Sequence, residues 1–418
     1  MEKIEIRPAE RLNARVVLPA SKSISNRALL INALSQSRLV PENVSDCDDT
    51  RVMLAALRNM PETIDIGAAG TAMRFLTAYL SVTDGQHVIT GTERMRHRPI
   101  AILVDALRQL GAQIDYLGEE GFPPLRITGQ TGLEGGEISL PGDVSSQYIS
   151  ALLMVAPVLR RGLSLELTGK IISRPYLDMT IAMMREFGAE VAWNGNNRIR
   201  VSPVPYHAIP YTIENDWSAA SYWYEMVALS DDTHAEVVLP GLYAKSLQGD
   251  SRVADLFSCL GVETEFCTDS IGEKTVCLRK AKAQPAVSMF ETDLTNQPDL
   301  AQTMVVTCAM LGVPFRLTGL QSLKIKETDR IAALRAELGK LGYEIGEEND
   351  SVLFWNGERI AAEVHPAIAT YQDHRMAMAF APVCLRTGQL CVQEPHVVSK
   401  SYPSFWKDLE MVGFSICN

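Results

Sequence analysis

The sequence predicts an α/β protein made of two domains, each with three similar units. An amphipathic helix that ends in glycine and leads into an extended segment recurs five times, at a spacing of about 75 residues. A second helix falls between successive copies. The chain has 418 residues, 46% of them hydrophobic, which is enough apolar material for two or three domains.

The glycine in each copy marks the end of a helix. The copies are centred on Gly111, Gly188, Gly261, Gly342 and Gly413. Glycine adopts the left-handed backbone conformation readily and is therefore a common residue just after a helix. The residues that follow each glycine are expected to enter a strand.

Each helix of this kind starts after an arginine or a polar cluster. Arg98-Pro99 and Arg174-Pro175 precede two of them, and both prolines suit the first helical turn. The second helix of each unit begins near Gly70, Ser145, Asp216, Asp299 or Asp373, and a more degenerate sixth copy begins at Ser21. A solenoid is the alternative, but solenoid repeats are usually about 20–50 residues long, so larger units favour closed domains.

Composition excludes several classes of function. The net charge of -11 argues against nonspecific nucleic-acid binding, which needs a positive surface. The first residues lack an apolar signal region, and the longest apolar stretch, residues 149–159, is shorter than the ~20 residues that span a bilayer. The eight cysteines show no CxxC pairing and are expected to be reduced core residues. We therefore expect a cytoplasmic protein that binds neither nucleic acid nor membrane.

Charged and hydroxyl residues collect at the predicted helix starts. Free N–H groups and the helix dipole make these ends suitable for anions, whereas cations there are unfavourable unless an anion compensates them. Singly, each motif has a simpler interpretation: Ser145-Ser146 as N-caps, residues 326–330 as a solvated salt-bridged turn, Asp373-His374-Arg375 as a surface cap. Their joint recurrence predicts one site for a polyanion. The chain carries no phosphate-loop, dinucleotide, zinc-protease or GxSxG motif.

These motifs, in this order, resemble the 5-enolpyruvylshikimate-3-phosphate synthases over nearly the whole chain. The matching segments are Leu18–Arg27, Gly67–Arg74, Arg94–Ile100, Ser145–Gln147, Ser173–Tyr176, Lys326–Arg330, Asp373–Ala377 and Lys400. One such motif is weak, but the ordered set is specific.

The resemblance implies a fold and a domain organisation. Members of the family have the enolpyruvyl transferase fold, an inside-out α/β barrel of two domains around an interdomain cleft, and each domain has three βαββαβ units. Here one domain would comprise residues 1–17 plus 216–418, and the inserted domain residues 18–215.

The resemblance also implies a reaction and a site. The family transfers the enolpyruvyl group of phosphoenolpyruvate to the 5-hydroxyl of shikimate 3-phosphate, in the pathway to chorismate and aromatic amino acids. Asp299 would be the base, Glu327 the main proton-transfer partner at C3, and Lys22 and His374 would assist. Shikimate 3-phosphate would be bound by Lys22, Ser23, Arg27, Ser145, Ser146, Gln147, Ser173, Tyr176, Asp299 and Lys326. Phosphoenolpyruvate would be bound by Lys22, Gly70, Arg98, Gln147, Arg330, Arg375 and Lys400. No metal or organic cofactor is implied, and we expect a monomer.

Three positions depart from the family pattern, and two alternatives stay open. Ala68 and Ser322 replace the usual asparagines, and Phe75 stands where many members have proline, which bears on substrate affinity and on inhibition by glyphosate. The related UDP-N-acetylglucosamine enolpyruvyl transferases carry a cysteine in the loop that corresponds to residues 91–99, where this chain has none. A repeat scaffold without activity is the other alternative, and it would not need both Asp299 and Glu327.

Overall fold

The computed structural model describes residues 2–36, 38–268, 272–282 and 287–417. The chain forms two compact units. The first unit comprises Met1–Pro19 with Glu214–Asn418, and the second unit comprises Ala20–Ile213. Each unit is described by itself below.

The secondary structure is mixed α/β. The strands are β1 (Lys3–Arg7), β2 (Asn13–Arg15), β3 (Thr63–Asp65), β4 (Gly85–Thr90), β5 (Gln113–Tyr116), β6 (Leu125–Gly129), β7 (Gly136–Pro141), β8 (Leu163–Thr168), β9 (Val191–Asn194), β10 (Arg198–Val201), β11 (Glu236–Pro240), β12 (Val262–Thr268), β13 (Lys274–Lys280), β14 (Phe290–Asp293), β15 (Phe315–Thr318), β16 (Gly346–Glu348), β17 (Val352–Trp355), β18 (Ala367–Ile368), β19 (Leu390–Gln393) and β20 (Ser415–Cys417). The helices are α1 (Lys22–Leu34), α2 (Asp48–Asn59), α3 (Gly70–Ser81), α4 (Glu93–Arg96), α5 (Ala101–Gln109), α6 (Ser146–Val155), α7 (Arg174–Glu186), α8 (Trp217–Leu229), α9 (Val253–Ser258), α10 (Ala301–Leu311), α11 (Arg330–Lys340), α12 (His374–Phe380), α13 (Cys384–Thr387) and α14 (Phe405–Met411).

The sheets of the described residues share one topology. Their strand orders are β3-β4-β6-β5 and β7-β8-β10-β9 in the second unit, and β2-β11-β13-β12, β14-β15-β17-β16 and β18-β19-β1-β20 in the first. In each sheet the first two strands are parallel, and the other two form an antiparallel pair that continues the sheet. The parallel strands are joined through a buried helix, as β7 and β8 are through α6. The segment around α1 and α2 contributes an isolated bridge, Glu42 to Thr212, which fits the degenerate sixth repeat.

The helices that join parallel strands form the centre of each unit. In the second unit α1, α3 and α6 pack on one another, and in the first unit α8, α10 and α12 do the same. Most residues of these helices are buried, and all of α10 up to Met310 is buried. A helix that is hydrophobic all round must be enclosed by protein, so the sheets and the amphipathic helices lie outside these three-helix cores. Because the units repeat, the helix N-termini gather at one end of each core.

The glycines and prolines show which local predictions hold. Gly111, Gly188, Gly261, Gly342 and Gly413 have φ between 86° and 105°, in the left-handed region expected after a helix. Pro175 lies in the first turn of α7. The prediction for Pro99 is wrong, because α5 begins at Ala101 and Pro99 lies in the preceding loop. Its carbonyl instead accepts hydrogen bonds from Arg74 and Tyr148.

The cysteine prediction is only partly right. Cys47, Cys308 and Cys384 are buried, but Cys259 and Cys417 are exposed and the other three are partly exposed. The cysteines are free thiols. Cys308 and Cys384, which have apolar sequence neighbours, are among the buried cysteines, whereas Cys267 and Cys277 lie on strands β12 and β13 and are partly exposed. No helix of the described residues is both long and apolar enough to cross a membrane.

Candidate active site

In the first unit, the carboxylate of Asp299 is surrounded by cations. Asp299 lies in the turn Pro298–Leu300 that leads into α10. Its Oδ2 is 2.8 Å from Arg375 Nη2, and its Oδ1 is 3.2 Å from Arg330 Nη1 and 3.6 Å from Lys326 Nζ. Lys326 and Arg330 come from the segment that opens α11, Arg375 comes from the start of α12, and the packing of α10, α11 and α12 brings them together.

The cations control the ionisation of Asp299. Burial alone would raise the pKa of this carboxyl, but the charges of Arg375, Lys326 and Arg330 outweigh burial and hold the pKa well below its ordinary value. Asp299 is therefore ionised at neutral pH. In this state it can accept a proton.

Arg330 is the centre of the cluster. Its side chain is 1% exposed, so Arg330 does not belong to a solvated turn, whereas Lys326 and Asp329 of the same run are 30% and 38% exposed. Nε donates to Asp373 Oδ2 at 2.7 Å, and Nη2 donates to Glu327 Oε2 at 3.0 Å. Burial opposes the charge, but Asp373, Glu327 and Asp299 outweigh it and raise the pKa of Arg330. The guanidinium thus fixes three carboxylates at once.

Glu327 connects this cluster to the end of the chain. Its Oε1 is 3.2 Å from Lys400 Nζ, while its other oxygen accepts from Arg330. Both Glu327 and Lys400 are mostly buried, at 14% and 13% side-chain exposure. We call Asp299, Lys326, Glu327, Arg330, Asp373, Arg375 and Lys400 the Asp299 cluster.

The start of α12 supplies the rest of the cluster. Asp373 is the N-cap, and its Oδ1 accepts from the backbone N–H of Arg375 at 2.9 Å. It is a helix cap, as the simpler interpretation expects, but it is fully buried rather than on the surface. His374 is also buried, and its Nδ1 is 3.7 Å from Asp373 Oδ1. Arg375 Nη1 lies 3.5 Å from the hydroxyl of Tyr222 on α8.

In the second unit, Arg27 is a buried cation held by neutral groups. The residue is 2% exposed, on the first turns of α1. Its guanidinium donates to Thr180 Oγ1 (2.7 Å), Ser150 Oγ (3.1 Å) and the carbonyl of Ser23 (2.9 Å). No carboxylate of the described residues pairs with it. Burial lowers the pKa of Arg27 to about 10, partly offset by Tyr176, so the side chain stays charged at neutral pH.

Two further arginines meet at the start of α3. A Cβ added to Gly70 would lie 2.6 Å from Arg98 Nη1 and 3.1 Å from Arg74 Nη1. A side chain at position 70 would therefore require the guanidinium group of Arg98 to move. Arg74 is 4% exposed and donates to the carbonyl of Gly70 at 3.0 Å. Beside them, Gln147 Nε2 donates to Thr71 Oγ1 at 3.2 Å, which joins the starts of α3 and α6.

The serines of the second unit lie at helix starts. Ser145 caps α6 by accepting from Gln147 N at 3.4 Å, so the N-cap interpretation holds for it, and Ser146 is the first residue of the helix. Ser173 precedes α7 with φ 53° and ψ 34°, a conformation that is uncommon for a residue with a side chain. Lys22 and Ser23 open α1 and are half-buried, after Ser21 as the N-cap.

The three departures from the family pattern have different surroundings. Ala68 is exposed in the loop before α3. Phe75 is fully buried, and its ring centroid is 5.4 Å from the guanidinium carbon of Arg27, so it packs against a predicted substrate ligand. Ser322 lies half-buried in the turn Gln321–Ile325 that precedes Lys326.

Two site residues escaped the sequence reasoning. Arg74 appears in the glycine-rich motif, yet no role follows from the motif, and its approach to Gly70 is visible only in three dimensions. Asp250 is buried beside the Asp299 cluster, where its Oδ2 accepts a hydrogen bond from Ser218. The sequence marks Asp250 only as the start of a helix. Among the described residues, no group of His, Cys, Asp or Glu is arranged to hold a metal.

Known proteins resemble this chain along its length. A sequence profile described as EPSP synthase (3-phosphoshikimate 1-carboxyvinyltransferase) matches residues 6–65 and 60–409. The 3-phosphoshikimate 1-carboxyvinyltransferase of Bacteroides fragilis is 58% identical over 406 residues, which cover 97% of each chain. The one of Pectobacterium carotovorum is 37% identical over 438 residues, 98% of each chain. The solved structure of EPSP synthase from Acinetobacter baumannii has a TM-score of 0.79 at 21% identity, covers 100% of both chains and shows the same fold.

Proposed function

We propose, since this chain belongs to the EPSP synthase family, that it transfers the enolpyruvyl group of phosphoenolpyruvate to the 5-hydroxyl of shikimate 3-phosphate. Phosphate is the second product. The observation that carries the proposal is the Asp299 cluster, in which a buried ionised carboxylate lies among cations that suit an anionic substrate.

The reaction needs one base and one acid. The 5-hydroxyl oxygen attacks C2 of phosphoenolpyruvate while its proton passes to Asp299, and a proton is delivered to C3. The tetrahedral intermediate then breaks its bond from C2 to the phosphate oxygen, and loss of a proton from C3 restores the double bond. Glu327, held by Arg330 and Lys400, is the proposed proton-transfer group at C3. Lys22 and His374 are proposed to assist.

The surroundings of Asp299 explain how it becomes a better base when substrate binds. A carboxylate paired with three cations binds a proton weakly. The phosphate and carboxylate of phosphoenolpyruvate would compete for Arg375 and Arg330, which reduces their effect on Asp299. The pKa of Asp299 would then rise when the hydroxyl is in place.

The second unit is proposed to bind the anionic groups of both substrates. Arg27, Ser23, Ser145, Ser146, Ser173 and Tyr176 would bind shikimate 3-phosphate, and Lys22, Gly70, Arg98 and Gln147 would bind phosphoenolpyruvate. Lys326 and Asp299 of the first unit would complete the first set, and Arg330, Arg375 and Lys400 the second. Support comes from Arg27, whose buried charge has no carboxylate partner among the described residues. An uncompensated buried charge is costly, so an anionic ligand is its natural partner.

The proposal also covers the domain organisation, the oligomeric state and the cellular location. The two compact units would be the two domains of the enzyme, with boundaries near residues 17 and 216. We propose that the enzyme acts as a monomer in the cytoplasm, where free thiols such as those of this chain persist. Sedimentation at micromolar concentration tests the monomeric state: a dimer would contradict it.

The test of function is phosphate release from phosphoenolpyruvate. Wild type, Asp299→Ala and the control Asp231→Ala would each be given shikimate 3-phosphate or UDP-N-acetylglucosamine. Asp231 is an exposed carboxylate of the same unit, paired with Arg386 at the surface. We expect release only with shikimate 3-phosphate, a loss of about 10²–10⁴-fold in Asp299→Ala, and normal rates in the control.

Other outcomes point elsewhere. Release only with the nucleotide sugar would assign the chain to the related transferase activity. No release with either acceptor, together with no thermal stabilisation by the substrates, would favour a scaffold. Full activity of Asp299→Ala would exclude Asp299 as the base while leaving the reaction intact.

A further inference from the structure

Asp250 is a buried carboxylate that the reaction described above does not use. It lies in the turn Gly249–Arg252 before α9 and is 4% exposed. Its Oδ2 accepts a hydrogen bond from the hydroxyl of Ser218, and its Oδ1 is buried without a hydrogen-bond partner among the described residues. Arg252 of the same turn points to Asp293 and Gln297 instead. A buried carboxylate without a cation bound to it is unusual and calls for an explanation.

Ser218 connects this carboxylate to the Asp299 cluster. Its hydroxyl oxygen is 3.5 Å from Arg375 Nη2, at the outer limit of a hydrogen bond. The same nitrogen holds Asp299 Oδ2 at 2.8 Å. A serine hydroxyl has one proton. While it donates that proton to Asp250, its lone pairs face Arg375.

The protonation state of Asp250 determines the net charge of Asp250 and the Asp299 cluster taken together. The Asp299 cluster contains the cations Lys326, Arg330, Arg375 and Lys400 and the carboxylates Asp299, Glu327 and Asp373. A neutral Asp250 leaves one positive charge in excess, and an ionised Asp250 cancels it. An incoming anion is therefore attracted more strongly when Asp250 carries a proton.

The surroundings favour a proton on Asp250 near neutrality. Burial is the main cause, and the charge of Asp299 adds to it, whereas Arg375 and the Ser218 hydroxyl oppose it. The balance raises the pKa of Asp250 to about 7. Asp216, the N-cap of α8, acts in the same direction as Asp299. Asp250 and Asp299 are thus neighbouring carboxylates whose pKa values are driven apart, a pattern typical of paired acid and base groups.

We propose that Asp250 is a positioning residue for the transfer reaction. It acts through Ser218 on Arg375 and Asp299, and its protonation determines the net charge of the site that binds phosphoenolpyruvate. This role rests on the proposed function. Binding of the anion would draw a proton onto Asp250, and release of phosphate would allow that proton to leave.

The key variant is Asp250→Asn, with Asp255→Asn as its matched control. Asparagine keeps the size of the side chain and can hold Ser218, but it stays neutral at every pH. Asp255 is an exposed residue of the adjacent helix α9. Between pH 6 and 8.5, KM for phosphoenolpyruvate should rise in wild type and in Asp255→Asn by a factor about ten times larger than in Asp250→Asn. This is the effect expected when one negative charge on Asp250 repels the anionic substrate across partly screening surroundings, about tenfold in KM. The ionisation of phosphoenolpyruvate itself is common to all three proteins and cancels in this ratio.

Ser218 variants test the connection itself. Ser218→Ala removes the hydroxyl and should lower kcat about tenfold, whereas Ser218→Thr keeps a hydroxyl and should recover at least half of the wild-type rate. A role in folding alone would lower the melting temperature without this recovery of kcat.

Infrared difference spectra of the free protein provide a readout that needs no turnover. A protonated carboxyl band that disappears between pH 6 and 8 should be present in wild type and absent in Asp250→Asn. If wild type shows no turnover dependent on shikimate 3-phosphate, the proposed function fails. If turnover is present but the pH profiles are parallel and no such band is lost, the role of Asp250 alone is refuted.

Discussion

Arg330→Met should destabilise the first unit far more than loss of an ordinary ion pair. Arg330 is 1% exposed and contacts Asp373, Glu327 and Asp299, and Asp373 is fully buried. Removing one partner of a buried pair leaves an uncompensated charge and costs about 3–5 kcal/mol. Methionine replaces most of the lost volume, so the contribution of a cavity to this figure is small.

Tryptophan fluorescence allows this loss to be measured in the first unit. Of the five tryptophans, Trp193 is the one in the second unit. Trp217, Trp223 and Trp355 are buried in the first unit and will report its unfolding in urea. The midpoint and slope of that transition give the change in the free energy of unfolding.

The control is Arg335→Met on the same helix, α11. Arg335 pairs with Glu347 at 2.9 Å, but its side chain is 46% exposed, and such pairs contribute about 0–1 kcal/mol. Adding Asp373→Asn to Arg330→Met should recover part of the loss, because asparagine caps α12 equally well and carries no charge. A loss from Arg330→Met that is no larger than the loss from Arg335→Met would refute the assignment of Arg330 as the centre of a buried ion cluster.

Three further predictions concern single groups. Arg27→Met should raise KM for shikimate 3-phosphate by about 100-fold, since the lost interaction is with the ligand's anionic group, and it should not lower the melting temperature, because the variant no longer buries an uncompensated charge; an unchanged KM, measured by phosphate release, would contradict it. Asp299 has a depressed pKa, so it contributes stability that is present above the unfolded-state value near 3.8 and is lost as pH falls through the lower folded-state pKa. Asp299→Asn should therefore have a lower free energy of unfolding in urea than wild type at pH 7, and this difference should shrink in acid. A difference that does not change with pH would show that the surrounding cations do not stabilise the ionised Asp299. Glu225 is fully buried, and burial raises its pKa well above 4.5, so folding must take up a proton at higher pH. Glu225→Gln should gain stability relative to wild type as pH rises above 4.5, and parallel curves of melting temperature against pH would contradict this.

Local rules account for the features that sequence alone predicted. Each glycine after a helix has the left-handed conformation because that position disfavours a Cβ, whatever the rest of the fold. Asp373 and Ser145 cap helices for a similarly local reason. The family motifs gave the site residues as a set, and their assignment to particular substrates is still a prediction.

Features that depend on contacts distant in sequence could not be predicted this way. Asp250 and Ser218 are 32 residues apart, and Arg330 and Asp373 are 43 residues apart. No periodic pattern marks such a pair, because the contact arises from the packing of different helices. Pro99 shows that a local rule can also predict too much. Proline suits the first turn of a helix, but Pro99 lies in the loop before α5, where its carbonyl accepts hydrogen bonds from Arg74 and Tyr148.

The two units treat their cations differently, and this difference bears on function. A cation at a helix start is opposed by the helix dipole and needs an anion nearby. In the first unit Arg330 and Arg375 receive this compensation from carboxylates of the protein. In the second unit Arg27 is bound by hydroxyl and carbonyl groups, which satisfy its donors but do not neutralise its charge. The protein thus retains a buried positive charge there at a cost to its own stability. A ligand that carries fixed negative charge removes this cost on binding, which is why we propose that Arg27 binds an anionic group of shikimate 3-phosphate.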